Sequence, residues 1–195
     1  MIKQEYSATR TRATWKPRVT DEDLPLYHCS SCDTYVLGIS GDKPAEYTGT
    51  GRSLIAQPPF LSVHNPSCCG QEMQKADFIS SSDLAGSIDF SYEFKGGFNN
   101  NCLVFKWEYG NSKNPVQWVA LKTFTGLQLK YVYPKKRSPL IFAFADEDAF
   151  CYCDKSPCEK CVFRCKHGFT IYALVQGFGV VRIPLDDMEV IGASN

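Results

Sequence analysis

An excess of charge of either sign is missing from this chain: 21 lysines and arginines stand against 21 aspartates and glutamates in 195 residues. Without a net field, nothing draws the whole molecule to nucleic acid or to an anionic membrane, and a charged docking surface has to be a local patch. Long apolar runs are missing too. No window approaches the ~18 consecutive apolar residues of a membrane span, and the opening MIKQEYSATRTRATWKPR lacks the apolar centre of a secretory signal. The expectation is a soluble, cytoplasmic protein with no nucleic-acid and no membrane partner. The Arg, Thr and Ser of that opening would suit a transit peptide, but Glu5 and the broken apolar spacing argue against the amphipathic helix one needs, so residues 1–25 read as an N-terminal arm. Helix signals are scarce as well: TDEDL (20–24) and ADEDAF (145–150) could each open a turn, and neither carries two turns of apolar stripe. Histidines number only three, His28, His64 and His167. No Ser-His-Asp set or carboxylate pair stands out, so hydrolase chemistry has no support.

What is present in quantity is β-forming sequence. TYVLGI (34–39), SIDFSYEF (87–94), CLVFKWEY (102–109), VQWVALKTF (116–124), LQLKYVY (127–133), LIFAFA (140–145), CVFRC (161–165), FTIYALV (169–175) and GVVRIPL (179–185) are rich in β-branched and aromatic residues. Several alternate in polarity as half-buried strands do. Turn formers separate them, among them GGFNNN (96–101), YGNSKNP (109–115) and YPKKRSP (133–139). In the last of these Lys135, Lys136 and Arg137 read as a solvated hairpin tip rather than an acidic-partner docking patch. This pattern predicts an all-β chain with an antiparallel sandwich over 86–195. The small, serine-rich FISSSDLAGS (78–87) reads as a linker, leaving residues 26–78 as a separate cysteine-bearing module.

Cysteine is the other abundance: ten in a chain read as cytoplasmic. A reducing compartment disfavours structural disulfides and leaves metal ligation or redox chemistry as the usual reasons. Cys29 and Cys32 form C-x2-C, which lets two sulfurs reach one ion from a tight knuckle whose N–H groups also face the sulfurs. Cys68 and Cys69 would close the tetrahedron. Adjacent residues of a regular strand point to opposite faces, so a turn is needed there, and Pro66 and Gly70 are expected to supply it. Four thiolates in a tetrahedron suit zinc or a single iron, and spacing does not separate the two. The competing reading is four unrelated buried thiols.

YHCSSCDTYVLGI (27–39) and CCGQEMQKADF (68–78) together resemble the desulforedoxin module: C-x2-C, then adjacent C-C-G with a methionine three residues after the glycine, here Gly70 and Met73. The resemblance extends to the two-domain desulfoferrodoxin (superoxide reductase) family through PVQWVALKTFTG (115–126), SPLIFAFADED (138–148) and VFRCKHGFTIYA (162–173). It implies a small rubredoxin-like metal module followed by an immunoglobulin-like β-sandwich. It further implies iron at Cys29, Cys32, Cys68 and Cys69, one-electron transfer linked to superoxide or oxygen detoxification, and an electron-donor protein as partner. A homodimer is compatible with it. The departures are as informative. The loop that carries the family's His-Pro-x-x-x-x-His is here NSKNPVQW (111–118), with no histidine, so the usual histidine iron site is largely missing. Cys165 and His167 could stand for that site's axial thiolate and one histidine, with one residue fewer between them and Lys166 in place of Asn. They are the residues to which a catalytic step would be assigned. Between Cys32 and Cys68 lie 35 residues, more than a compact module has.

In place of the histidines stands CYCDKSPCEKCVFRCKH (151–167), five cysteines and one histidine within seventeen residues. Its readings are a second metal site, a redox-active dithiol, or free thiols packing as small apolar residues. As ligands, Cys158 and Cys161 form the knuckle pair, with Cys165 and His167 next. Cys102, at a strand start, reads as core. The function expected is that of an iron-binding redox protein; the alternative is a non-catalytic zinc-binding structural or interaction module.

Overall fold

The computed structural model describes residues 23–38, 65–96, 101–111, 114–123, 126–145, 148 and 168–185. These residues form antiparallel β-structure, with a 3-10 turn at Ser81–Leu84 and no α-helix among them. They fall into two compact units that divide between Phe78 and Ile79.

The smaller unit is built from hairpins. Strands β1 (Leu26–His28) and β2 (Tyr35–Leu37) pair in the register Leu26 to Leu37 and His28 to Tyr35. The C-x2-C knuckle is the loop between them. On the other side of β1 lies β5 (Gln74–Lys75), with Tyr27 opposite Lys75. A separate two-stranded hairpin joins β3 (Ser67–Cys68) to β4 (Gln71–Glu72). Met73 links that hairpin to β5; its amide donates to the Pro66 carbonyl at 2.8 Å, and its side chain is buried with Tyr27 and Cys29. Of these strands only β2 falls within a stretch read as β-forming, TYVLGI (34–39), and there by composition rather than period. Two- and three-residue strands are too short to show an alternation.

The larger unit has two sheets. β6 (Phe78–Ser80), β9 (Val116–Lys122), β10 (Leu127–Tyr131), β12 (Thr170–Val175) and β13 (Gly179–Pro184) form one, in the order β10-β9-β12-β13-β6. β7 (Ile88–Lys95), β8 (Cys102–Tyr109) and β11 (Leu140–Ala143) form the other, in the order β11-β8-β7. The alternation in the sequence is the reason. In β8, Leu103, Phe105 and Trp107 face inward, and in β11 Leu140 and Phe142 do; these meet Val119, Leu121, Ile171, Ala173 and Val181 from the opposing sheet in one core. Period-two patterning puts every second side chain on the buried face, and two such faces stacked give a sandwich.

Three features depart from the sequence expectation. β9 and β12 are buried on both faces, Tyr172, Ala120 and Thr170 as well as the core set, so β12 reads as a continuous apolar run. Within β9 the phase slips: Leu174 pairs with Trp118 but Val175 with Val116. The extra residue, Gln117, forms a bulge that returns Val116 to the same core as Val119 and Leu121. The stretch 78–87, read as a linker, contains β6 and a 3-10 turn, Ser81–Leu84, capped by the Ser80 hydroxyl and inserting Leu84 into the core. Serines there are caps rather than spacers.

Two contacts hold the sheets together along one edge. The Lys130 ammonium donates to the Ile141 carbonyl, and the Gln128 amide donates to the Ala143 carbonyl at 2.6 Å, so side chains of β10 occupy acceptors of β11. Lys130 also sits 4.9 Å from the centre of the Phe142 ring. At Gly110 a Cβ would fall 2.3 Å from the Gly86 carbonyl oxygen, so the close approach of those two turns requires glycine.

Candidate metal centre

Each half of the site is a hairpin turn. In the first, the Cys29 carbonyl accepts from the amides of Asp33 (2.9 Å) and Cys32 (3.4 Å), and the Cys29 amide donates to the Thr34 carbonyl at 2.9 Å. Asp33 takes a φ of 55°, a left-handed conformation that aspartate tolerates better than most residues, and the chain reverses within six residues. In the second, Cys68 pairs with Gln71 and the intervening Cys69 and Gly70 have φ of 51° and 74°. Positive φ at both central residues marks a two-residue type I′ turn. A Cβ at Gly70 would meet nothing within 4 Å, so glycine is required by backbone conformation and not by crowding. That turn lets neighbouring cysteines serve one site. Pro66 lies before the hairpin and takes no part in the reversal.

The four sulfurs of Cys29, Cys32, Cys68 and Cys69 lie within 4.8 Å of one another. Cys32 and Cys68 are 3.5 Å apart and Cys68 and Cys69 3.8 Å. Metal–sulfur bonds of ~2.3 Å in a tetrahedron require sulfur–sulfur edges of ~3.8 Å, and a disulfide requires ~2.05 Å. The observed separations fit the first and exclude the second, and all five cysteines of the described residues are free. These residues could therefore hold one metal ion.

The environment of the sulfurs is uneven. Cys29 is buried against Met73 and Tyr27, Cys68 is half-buried, and Cys32 and Cys69 are exposed. The Thr34 hydroxyl lies 3.1 Å from the Cys32 sulfur. That hydroxyl first, then the Thr34 backbone N–H and the thiols of Cys68 and Cys69, holds the Cys32 thiol down from 9.0 to about 6. Cys68 is pushed up to about 12, chiefly by the hydrogen bond between its thiol and the Cys32 sulfur, which favours the protonated Cys68, with Cys29 and Cys69 adding to the effect. Cys69 is raised as well, Cys32 being again the main cause. Among Cys32, Cys68 and Cys69, negative charge is thus favoured at Cys32.

Three polar side chains surround the site. Gln71 reaches from β4 to the knuckle, its amide nitrogen 2.9 Å from the Ser31 hydroxyl, 3.5 Å from that of Ser30 and 3.9 Å from the Cys29 sulfur. His28 places Nε2 3.1 Å from an Asp33 carboxylate oxygen and stacks on Tyr35 at 4.6 Å; it is not a member of the sulfur cluster. The contacts of Thr34 and Gln71 are not legible in the sequence; the only available signal is that both flank a cysteine pair.

The remaining expected ligands, Cys158, Cys161, Cys165 and His167, lie outside the described residues, as do Cys151, Cys153 and His64. Of the stretch 111–118 that lacks histidines, residues 111 and 114–118 are described; the Tyr109 hydroxyl accepts from the Val116 amide at 3.1 Å and from the Trp107 indole at 3.2 Å. Cys102 is half-buried at the start of β8.

Fold and site together define an all-β protein with a four-cysteine cluster able to take a metal. No protein-family model matches the chain. No curated protein matches it. Among solved structures it is similar to the superoxide reductase from Treponema pallidum, with 14% identity over 83% of this chain and 98% of that one and a TM-score of 0.47. The case for the site rests on its own atoms. No helix among the described residues is long and apolar enough to cross a membrane.

Proposed function

We propose that the protein is an iron-binding one-electron redox protein whose centre is the set Cys29, Cys32, Cys68 and Cys69. The observation that supports this best is the approach of four thiol sulfurs, drawn from two separate hairpins, to within 4.8 Å of one another. Iron in such a set supplies ferric–ferrous cycling with little movement of its ligands. The chain's own residues do the rest. Cys29, packed against Met73 and Tyr27, fixes the inner corner, while the exposed Cys32 and Cys69 bring the outer edge to solvent, where a donor protein can approach. The Thr34 hydroxyl and N–H neutralise part of the charge on Cys32, which favours the reduced, more negative state.

The sequence resemblance extends this reading to superoxide or oxygen detoxification, with Cys165 and His167 as the catalytic residues and Cys158 and Cys161 completing a second metal site. An electron-donor protein is the partner, and a homodimer fits the same reading. Anaerobic purification with metal analysis tests the centre: one iron per chain and a red ferric form with visible charge-transfer bands are expected. A colourless protein holding one zinc ends the electron-transfer reading in favour of a structural role. Superoxide consumption unchanged by Cys165→Ala would remove the catalytic assignment.

A further inference from the structure

The two halves of the sulfur cluster belong to different pieces of sheet. Cys29 and Cys32 lie on the loop of the β1–β2 hairpin, which belongs to the three-stranded sheet with β5. Cys68 and Cys69 lie on the β3–β4 hairpin, a two-stranded ladder of its own. Backbone bonding within each hairpin sets the two sulfurs of a pair, and the β1–β5 ladder, with His28 opposite Gln74, brings the bases of the two hairpins together. Met73 fixes the base of the β3–β4 hairpin, where it packs beside Cys29. The tip, which carries Cys69, needs a tie of its own.

Gln71 provides one. It stands directly opposite Cys68 in the ladder, and its amide crosses to the knuckle, donating to Ser31 at 2.9 Å with Ser30 and the Cys29 sulfur farther off at 3.5 and 3.9 Å. We propose that Gln71 is a positioning residue, a latch that holds the Cys68–Cys69 hairpin against the Cys29–Cys32 knuckle and so sets the affinity and residence time of the bound metal. The inference rests on the tetrathiolate reading and adds to it a residue that touches no metal. Its physical content is local: the β1–β5 ladder, with His28 opposite Gln74, already closes the 35 residues between Cys32 and Cys68, so what the bond removes is the remaining freedom of the β3–β4 tip, which a bound ion would otherwise have to order. Partners of this outer kind change metal affinity by roughly 10–100-fold when removed. Thr34 provides the contrast. It bonds Cys32 from within the same hairpin, so its loss alters one sulfur and leaves the two halves registered.

The test uses the full-length protein and Co2+ as the probe, whose sulfur charge-transfer and visible bands report tetrahedral thiolate binding whatever the native metal is. Affinity is read by chelator competition, and release by mixing the loaded protein with excess chelator. Gln71 is exposed, so Gln71→Leu and Gln71→Glu leave the packing of the unit intact. Gln71→Leu is expected to bind Co2+ about tenfold more weakly or worse and to release it correspondingly faster. Gln71→Glu keeps the shape but sets a carboxylate beside the sulfurs, and any bond to Ser31 must then be donated by the serine hydroxyl, so Gln71→Leu is the variant that removes the contact outright. Ser31→Ala alone weakens binding, and the Gln71→Leu/Ser31→Ala double variant is no weaker than Gln71→Leu, because both changes break one contact. Thr34→Val shifts the charge-transfer band, Thr34→Ser restores it, and release stays within about twofold of the parent, well short of the roughly tenfold change expected of a lost outer-sphere tie. Equal affinity and release in Gln71→Leu, or strict additivity of Gln71→Leu with Ser31→Ala, overturns the latch. A parent protein that gives no tetrathiolate spectrum with Co2+ overturns the metal site itself, which is a different result.

Discussion

The two units solve the problem of staying folded by different means. Among its described residues the sandwich has eighteen buried side chains in a single cluster, several of them fully enclosed aromatics such as Phe105, Phe142 and Phe169. The cluster beside the sulfurs has three buried members, Tyr27, Cys29 and Met73, with Val36 and Cys68 partly buried against them. At roughly 25 cal/mol per Å² of apolar surface, burial among the described residues contributes far more to the first than to the second. One unit shows a large packed core, and the other gathers four thiols that could hold an ion.

The sharpest way to break this contrast is to remove the metal. Chelation is expected to abolish amide-exchange protection in β1, β2 and β5, since a structural tetrathiolate ion contributes on the order of 10 kcal/mol, and to leave β8, β9 and β12 protected. Hydrogen exchange resolved by segment checks it; protection that survives in β1 would mean that the small unit has a sufficient core after all. Next in size, Phe105→Ala should cost about 3–5 kcal/mol in denaturant unfolding of the sandwich, the usual range for a fully buried aromatic. The Co2+ spectrum should not change. Gly70→Ala comes third, at about 1–2 kcal/mol, because alanine must adopt the φ of 74° that glycine takes freely. Equilibrium unfolding of the loaded protein measures it, and a loss of less than a few tenths would contradict the type I′ turn.

The smallest effect is a pH dependence of whatever structure the metal-free unit retains. The lowered pKa of Cys32, about 6 against an ordinary 9.0, contributes stability that is fully present above pH 9 and is lost as the pH falls towards 6. The raised pKa of Cys68, about 12, contributes stability that is fully present below pH 9 and is lost as the pH rises towards 12. Residual structure should therefore peak near pH 9 under reducing conditions, as read by circular dichroism. A steady decline from pH 6 to 9 would show that the thiol network does not form without metal.

The same contrast explains what was legible beforehand. β7 and β8 alternate apolar and polar residues over eight positions, and the sequence places them to within a residue of their observed ends. β1, β3, β4 and β5 have two or three residues each and no period to read. Here the cysteine spacing carries the signal instead: Cys29-x2-Cys32 and Cys68-Cys69-Gly70 mark where sulfurs gather even though the strands around them are invisible. Gln117 and Gln71 were not legible for a common reason. The first owes its role to a register slip against β12, the second to a contact across a gap of some forty residues, and neither leaves a local pattern.

The order of residues alone determined that this chain is all-β and that two pairs of thiols are spaced for one ion, because alternation and short-range cysteine spacing are local properties written in adjacent positions. Tertiary structure decided that the two pairs converge, that Cys69 and Gly70 turn left-handed to bring neighbouring sulfurs to one point, and that an amide on one hairpin reaches a serine on the other. Those outcomes depend on where distant segments come to rest, and a contact across 35 intervening residues is fixed by packing and loop closure rather than by any stretch of sequence.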